Sequence, residues 1–130
     1  MTTPDASPLY RTGKICYLEI PTNDVAISTQ FFQHVFGWKI RQHADGTAAF
    51  DDAVGQVSGM WVLGRQPSRE LGVMVHIMVA DVSTTSAAIE AAGGEIVQSF
   101  TDGEVYAYFR DPVGNLFGIY QQAGLAEQEA

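Results

Sequence analysis

Hydrophobic and polar residues follow two different periods in the first half of the chain. Residues 14–19 form a short apolar and aromatic run that ends before Pro21, which is typical of a strand. Apolar residues then recur near a period of 3.6 over 25–36 and predict a helix. Asp24 can accept hydrogen bonds from the first backbone N–H groups of that helix, and Gly37 can end it.

Three further short runs follow the helix and predict strands. The runs 38–43 and 47–51 flank Asp45-Gly46, which favours a tight hairpin because glycine adopts positive φ at little cost. The run 54–63 gives a fourth strand, so this half of the chain has the element order βαβββ. The second half predicts the same order at 72–79, 82–92, 95–100, 104–109 and 115–121.

The two halves are also related residue by residue. Segment 48–61 reads AAFDDAVGQVSGMW and segment 107–120 reads AYFRDPVGNLFGIY, so Ala, Phe, Asp, Val and two Gly coincide at an offset of 59 (48 to 107). Upstream the offset is 57, which brings Asp24 onto Asp81 and Gly37 onto Gly94. A repeat of this length predicts one supersecondary unit present twice.

The predicted fold is therefore α+β, with two tandem βαβββ modules whose curved, mostly antiparallel sheets surround a cavity. Module one spans 13–63, a polar linker spans 64–71 and module two spans 72–122, while 1–12 and 123–130 are predicted to be tails. Each helix covers one face of its sheet. We expect the other face to be buried against the sister sheet or against a second subunit.

Charge and cysteine content narrow the classes of function. The 130 residues carry 7 Lys and Arg against 15 Asp and Glu, a net charge of −8 at pH 7. Nucleic acids and anionic membranes are bound through basic patches, so neither is a predicted partner. The single cysteine, Cys16, excludes an internal disulfide, and its apolar neighbours predict a core position. The N-terminal sequence has no secretory pattern, which favours a cytoplasmic protein.

Two segments of the repeat point to a known family. The sequences IPTNDVAISTQFFQHVFGW at 20–38 and FRDPVGNLFGIYQ at 109–121, together with the tandem βαβββ pattern, resemble the vicinal oxygen chelate superfamily. That superfamily includes glyoxalase I, bleomycin-resistance proteins and extradiol dioxygenases, and the resemblance covers about residues 13–122. It implies the fold more strongly than the function, because the superfamily contains several chemistries and also pure binding proteins.

The resemblance also implies where a metal would be held. In the metal enzymes of the superfamily, the first and fourth strands of each module supply one ligand each, which corresponds here to Tyr17, Gly59, Met74 and Gly118. Glycine has no side chain, a thioether is a soft ligand and a neutral phenol is a poor donor, so this set does not suit Zn, Ni, Fe or Mn. We therefore predict no metal and no cofactor, as in the small metal-free glyoxalase-like branch.

Strand alternation extends the candidate site, because residues i and i+2 lie on one face of a strand. Glu19 then lies with Tyr17, His76 lies with Met74, and Trp61 and Tyr120 lie with the two glycines. The predicted lining is aromatic and apolar with one carboxylate and one imidazole: Tyr17, Glu19, Gly59, Trp61, Met74, His76, Gly118 and Tyr120.

Several interpretations of these side chains stay open at this point. Glu19 and His76 are the candidate catalytic residues if they transfer a proton, but they can equally be polar groups that orient a ligand, or a displaced metal site. Trp61 and Tyr120 can stack on a flat ligand or pack in the core.

The sequence thus predicts a metal-independent protein that binds an aromatic or amphipathic small molecule between its sheets and forms a homodimer. The alternative is an enzyme of the same superfamily, of the lyase, isomerase or dioxygenase type. A protein-interaction module with a vestigial pocket is a third hypothesis.

Overall fold

The computed structural model describes residues 10–12 and 14–130. Residues 1–9 and 13, which include most of the predicted N-terminal tail, lie outside the described residues. The chain divides into two compact units between Gln66 and Pro67, within the predicted linker.

The first unit is a four-stranded sheet with one helix. Its elements are β1 Tyr17–Pro21, α1 Val25–Phe36, β2 Lys39–Gln42, β3 Ala48–Asp51 and β4 Ser58–Val62. The strand order is β1-β4-β3-β2, in which β1 and β4 are parallel and the other pairs are antiparallel. The predicted helix ends are confirmed, since the Asp24 side chain accepts from the backbone N–H of Ile27 and Gly37 adopts a left-handed φ of 69°.

The second unit repeats this arrangement. Its elements are β5 His76–Val79, α2 Val82–Ala91, β6 Glu95–Phe100, β7 Tyr106–Arg110 and β8 Leu116–Gln121, in the order β5-β8-β7-β6. The prediction of two tandem βαβββ modules in an α+β fold is confirmed. The C-terminal segment, predicted as a tail, contains a short exposed helix, α3 Leu125–Glu129. In the described part of the chain, no helix is long and apolar enough to cross a membrane.

Each helix packs on one face of its own sheet and buries the core there. In the first unit, the Phe32 ring of α1 stacks on Trp38 with centroids 4.5 Å apart, and Trp38 stacks on Phe50 at 4.5 Å. Trp61 closes this cluster and is only 1% exposed. In the second unit, α2 packs on β6, β7 and β8 and buries Ile89 completely.

Cys16 is exposed, so the prediction of a core position is wrong. The residue lies just before β1, which is the edge strand of its sheet. An edge position leaves one side of the strand without a neighbour, and the apolar run around Cys16 did not reveal this.

The turn that joins the third and fourth strands differs in length between the units. Residues 52–57 separate the paired ends of β3 and β4, whereas only residues 111–115 separate the paired ends of β7 and β8. The backbone N–H of Asp52 accordingly reaches Val57 O at 2.8 Å. The first turn is one residue longer, although the sequence repeat runs through both turns without a gap.

This extra residue shifts the register of β4 relative to β8. Phe50 lies opposite Gly59, while the corresponding Phe109 lies opposite Phe117. A shift of one residue turns every side chain of a strand to the other face. Residues that match in sequence between β4 and β8 therefore lie on opposite faces of their sheets.

A buried polar network closes the turn of the second unit. Asp111 Oδ1 accepts from the backbone N–H groups of Val113 (3.2 Å) and Asn115 (2.7 Å), and Asp111 Oδ2 accepts from Asn115 Nδ2 at 3.0 Å. Asn115 Oδ1 accepts from the backbone N–H of Ser68 at 2.8 Å, which ties the linker to the turn. Burial raises the pKa of Asp111, and the hydrogen bonds from Asn115 and Val113 oppose that rise.

We predict that Asn115→Asp destabilises the second unit in a pH-dependent way. At pH 7 the new carboxylate faces Asp111 without the Nδ2 donor, so the free energy of unfolding should fall by about 1–3 kcal/mol. Two adjacent carboxylates raise each other's pKa, so the folded state takes up more protons than the unfolded state. The deficit relative to wild type should therefore shrink as the pH falls, when a shared proton restores a donor.

Urea unfolding at pH 7 and at about pH 4.5 measures this effect. Asn23→Asp is the matched control, because it makes the same change at an exposed position and should alter the free energy of unfolding by about 0.5 kcal/mol or less. Equal effects of the two substitutions, or a deficit that grows at low pH, would contradict the network described here.

Candidate functional site

Each sheet has a second face that carries no helix. On the second sheet this face is lined mainly by rings, and we call it the aromatic face. Strand register places two rows of residues across all four strands of this face. One row runs from His76 through Gly118 and Tyr108 to Gln98, and the other runs from Met78 to Phe100. The aromatic face consists of His76, Met78, Phe100, Tyr106, Tyr108, Gly118 and Tyr120, and Arg110 and Leu116 lie next to them on the same side of the sheet.

The rings on this face form a contiguous cluster. Phe100 stacks on Tyr106 with centroids 4.4 Å apart and planes within 13°, and it meets Tyr108 edge-on at 5.1 Å. His76 approaches both tyrosines edge-on, at 6.3 Å from Tyr106 and 6.0 Å from Tyr108. Aromatic rings in these arrangements stabilise one another and leave ring faces for a further planar group.

Glycine in the fourth strand makes room for the imidazole. Gly118 pairs with His76 on one side and with Tyr108 on the other. A Cβ atom at Gly118 would overlap Nδ1 and Cε1 of the His76 ring, so any side chain there requires the ring to move. The His76 ring therefore lies directly over Gly118.

One carboxylate borders the aromatic face. The Tyr120 hydroxyl donates to Glu104 Oε1 at 3.1 Å. This hydrogen bond, together with the negative charge of Glu104, raises the pKa of Tyr120. Tyr120 is therefore a neutral donor already engaged by a carboxylate, and it presents its ring to the face.

The corresponding face of the first sheet is charged instead of aromatic, and we call it the polar face. Arg65 Nη1 donates to Glu19 Oε1 at 2.9 Å, and Asp51 Oδ1 accepts from both Ser58 Oγ at 2.7 Å and Arg41 Nη2 at 3.2 Å. These ion pairs are exposed, so each contributes little to stability. The polar face consists of Tyr17, Glu19, Arg41, Asp51, Ser58 and Met60.

The structure brings together three of the eight predicted lining residues on the aromatic face: His76, Gly118 and Tyr120. Two others, Tyr17 and Glu19, share the polar face of the first sheet, as their spacing predicted.

The remaining three predicted lining residues lie elsewhere. Gly59 and Trp61 face α1, since an added Cβ on Gly59 would strike the Phe50 ring and Trp61 packs on that ring. The longer turn before β4 is the cause, because it turns these residues away from the polar face. Met74 precedes β5 and belongs to no strand.

Sequence reasoning missed three rings of the aromatic face: Phe100, Tyr106 and Tyr108. Tyr106 and Tyr108 alternate along β7, and Phe100 pairs with Tyr106 across the hairpin. The signal was present in the segment YAYF and in the Asp102-Gly103 turn, which together place these rings on one face. Arg65, the partner of Glu19, lies in the linker and has no signal in the repeat.

The donor groups present do not gather into a metal site. Among residues 10–12 and 14–130, no group of three or more His, Cys, Asp or Glu side chains could hold a metal ion. On the aromatic face, His76 is the one side chain of a common metal-ligand type, and its neighbours across β8 and β7 are a glycine and a tyrosine. The residues therefore do not fit a catalytic divalent ion.

The sequence model of the glyoxalase-like domain family matches residues 17–120, which is most of the chain. The chain belongs to the glyoxalase-like domain family. The resemblance to the vicinal oxygen chelate superfamily is thereby confirmed. Among curated proteins, no sequence matches this glyoxalase-like chain.

Solved structures support the fold of this glyoxalase-like protein. A glyoxalase/bleomycin resistance protein/dioxygenase family enzyme from Burkholderia phytofirmans is similar, with a TM-score of 0.71, 17% identity and coverage of 84% of this chain and 98% of that one. The fosfomycin resistance protein FosX from Listeria monocytogenes has a TM-score of 0.71 and 17% identity, covering 92% and 98%. A hypothetical protein from S. aureus has a TM-score of 0.69 and 19% identity, covering 87% and 96%.

We predict opposite outcomes for alanine at the two fourth-strand glycines. In Gly59→Ala the new methyl group overlaps the backbone O of Leu18 and the buried Phe50 ring, so the free energy of unfolding should fall by about 1–3 kcal/mol or more. In Gly118→Ala the methyl group meets only the exposed His76 ring, which can rotate away, so stability should change by about 0.5 kcal/mol or less.

Urea unfolding of both variants under the same conditions measures the difference, and each variant is the control for the other. Equal losses of stability would show that Gly59 and Gly118 lie on equivalent faces, in contradiction of the register described above.

Proposed function

We propose that this protein binds a planar aromatic or amphipathic small molecule on the aromatic face of its second sheet, without a metal ion. The observation that carries the proposal is the ring cluster itself. Four rings, those of His76, Phe100, Tyr106 and Tyr108, adjoin one another on a sheet face that has no helix. A planar ligand gains dispersion and apolar burial against such a surface.

The polar face is a weaker candidate for such a ligand. Its charged side chains already satisfy one another, since Glu19 is held by Arg65, and Asp51 by Arg41 and Ser58. The carboxylate of Glu19 therefore begins in an ion pair, which disfavours the free base that a proton-transfer enzyme would require. This supports the binding function over a reaction that depends on Glu19.

We predict that planar aromatic compounds bind to the aromatic face and that removal of one of its rings weakens their binding. In a thermal-shift and calorimetric panel that includes 2-naphthamide and 2-naphthoate, Tyr108→Ala should lower the affinity about twofold to tenfold, because an aromatic pair contributes roughly 0.5–1.5 kcal/mol beyond its buried area. EDTA should leave the wild-type affinity unchanged, since the face offers no set of metal ligands.

Tyr10→Ala is the control for that substitution, because Tyr10 is 86% exposed and lies outside the aromatic face. It should leave every affinity unchanged. A panel in which nothing binds, or in which chelation abolishes binding, would contradict the proposed function.

We further propose that the protein forms a homodimer. The strands β1 and β5 are each the edge strand of a parallel pair. On one side their backbone groups have no neighbouring strand within their own sheet. Apolar side chains on these strands or just before them are exposed to solvent: Ile15 is 69% exposed, Val73 is 96% exposed and Met78 is 60% exposed. A second copy of the chain would cover such positions, as two-fold interfaces commonly do.

Multi-angle light scattering at micromolar concentration tests assembly. We expect about twice the chain mass of 14.1 kDa. Val73→Glu should shift the population towards monomer, because a charge at an apolar interface position is costly. Lys39→Glu, an exposed change on the other edge strand β2, is the control and should leave the mass unchanged. A wild-type protein of single-chain mass would contradict the dimer.

A further inference from the structure

The side chain of His76 differs from the other rings of the aromatic face in one respect. Within the described residues, neither ring nitrogen of His76 has a hydrogen-bond partner, whereas the Tyr120 hydroxyl is engaged by Glu104. The Nδ1 and Cε1 atoms lie closest to Gly118, so Nε2 is the nitrogen farther from that position. The imidazole thus lies over the sheet, and both of its nitrogens can form a hydrogen bond with a ligand.

The comparison with the first sheet shows what holds the ring there. Glu19 and His76 occupy the same place in their units, each on the edge strand that runs parallel to the fourth strand. Glu19 has Met60 beside it, while His76 has Gly118. Met60 carries a side chain at the position where β8 has only a glycine, and Glu19 accepts a hydrogen bond from Arg65. The glycine in β8 is therefore the feature that lets the His76 ring lie inward, against Tyr106 and Tyr108.

The charged and titratable groups around the His76 ring limit the chemical class of ligand that can bind there. The titratable groups on β7 and β8 that share this side of the sheet with His76 are the phenols of Tyr106, Tyr108 and Tyr120 and the guanidinium of Arg110. Glu104 lies beside Tyr120. His76 is the basic side chain in ring contact with Tyr106 and Tyr108, whereas Arg110 forms an ion pair with Glu95 at 3.6 Å. A ligand that stacks on the neighbouring rings can place an acidic group on the imidazole, where the hydrogen bond is charge-assisted.

We infer that the aromatic face selects planar aromatic acids, such as carboxylates, through His76, and that Gly118 is the positioning residue that sets the imidazole for this contact. The inference rests on the proposed function and specifies the ligand class of the same site. It assigns the contact with the acidic group to His76 and the placement of that ring to Gly118.

The test compares two probes that share one ring system, 2-naphthoate and 2-naphthamide, by isothermal calorimetry at pH 6.5. Wild-type protein should bind the acid about tenfold to a hundredfold more tightly than the amide, as expected for one charge-assisted hydrogen bond. His76→Gln should bring this ratio close to one. Gly118→Met gives β8 the methionine that β4 carries at the equivalent position, Met60. This variant should also bring the ratio close to one, although His76 is retained.

Gln98→Met is the matched control, because it adds the same side chain to the same row of the face at an exposed position that Tyr108 and Gly118 separate from His76. It should preserve the ratio between the acid and the amide. Urea unfolding of each variant separates loss of the fold from loss of selectivity, since a merely structural effect would lower both affinities together.

NMR tests the placement of the ring without any ligand. The chain has three histidines, so the ring signals that disappear in His76→Gln identify this residue. Nuclear Overhauser effects from the His76 ring to the α-protons of Gly118 are expected in wild-type protein, and the ring signals should move in Gly118→Met. Absence of these contacts would overturn the role of Gly118.

The possible results distinguish failure of the inferred ligand class from failure of the proposed function. Equal binding of the acid and the amide, with both weakened in Tyr108→Ala, would overturn the selection of acids and leave the proposed function standing. Binding of neither probe, together with failure of the wider aromatic panel, would overturn the proposed function and the ligand class with it.

Discussion

The register between the third and fourth strands of each unit decides which side chains reach the face without a helix. The length of the turn between the two strands sets that register. The turn at 52–57 is one residue longer than the turn at 111–115, so matching residues of β4 and β8 lie on opposite faces of their sheets. Because of that residue, Gly59 lies in the core against Phe50 while Gly118 lies on the aromatic face. The buried contacts of Asp111 and Asn115 hold the shorter turn closed and so maintain the register on which the candidate site depends.

The two helix-free faces have diverged in chemistry although they arise from one repeated pattern. The polar face is a set of exposed ion pairs that satisfy one another, whereas the aromatic face offers ring surfaces and an imidazole without a hydrogen-bonding partner among the described residues. A neighbouring residue explains much of the contrast, because Met60 lies beside Glu19 and a glycine lies beside His76. The two units share one frame, and different residues at paired positions give their helix-free faces different chemistry.

Most of the fold could be predicted from the sequence. Asp24 and Asp81 cap the two helices, and Gly46 takes positive φ in the predicted hairpin, as Gly103 does at the equivalent place in the second unit. These features are local, since each depends on a few adjacent residues and their backbone preferences. The βαβββ order follows from them.

The candidate site was predicted only in part, because its composition depends on pairing between strands. Glu19 and His76 were correctly matched, since the offset of 57 holds in β1 and β5. Trp61 was matched with Tyr120, but the sequence aligns without a gap across two turns that close differently. No local pattern reports how a turn closes when both versions contain an aspartate and a left-handed glycine.

Chemical-shift mapping tests the central claim, that the aromatic face of the second sheet is the binding surface, most directly. The backbone amide signals of isotopically labelled protein would be followed while 2-naphthoate is added. The account predicts that the largest changes cluster at His76, Tyr106, Tyr108 and Gly118. Changes that cluster instead at Tyr17, Glu19 and Met60, or that scatter over both units, would contradict it.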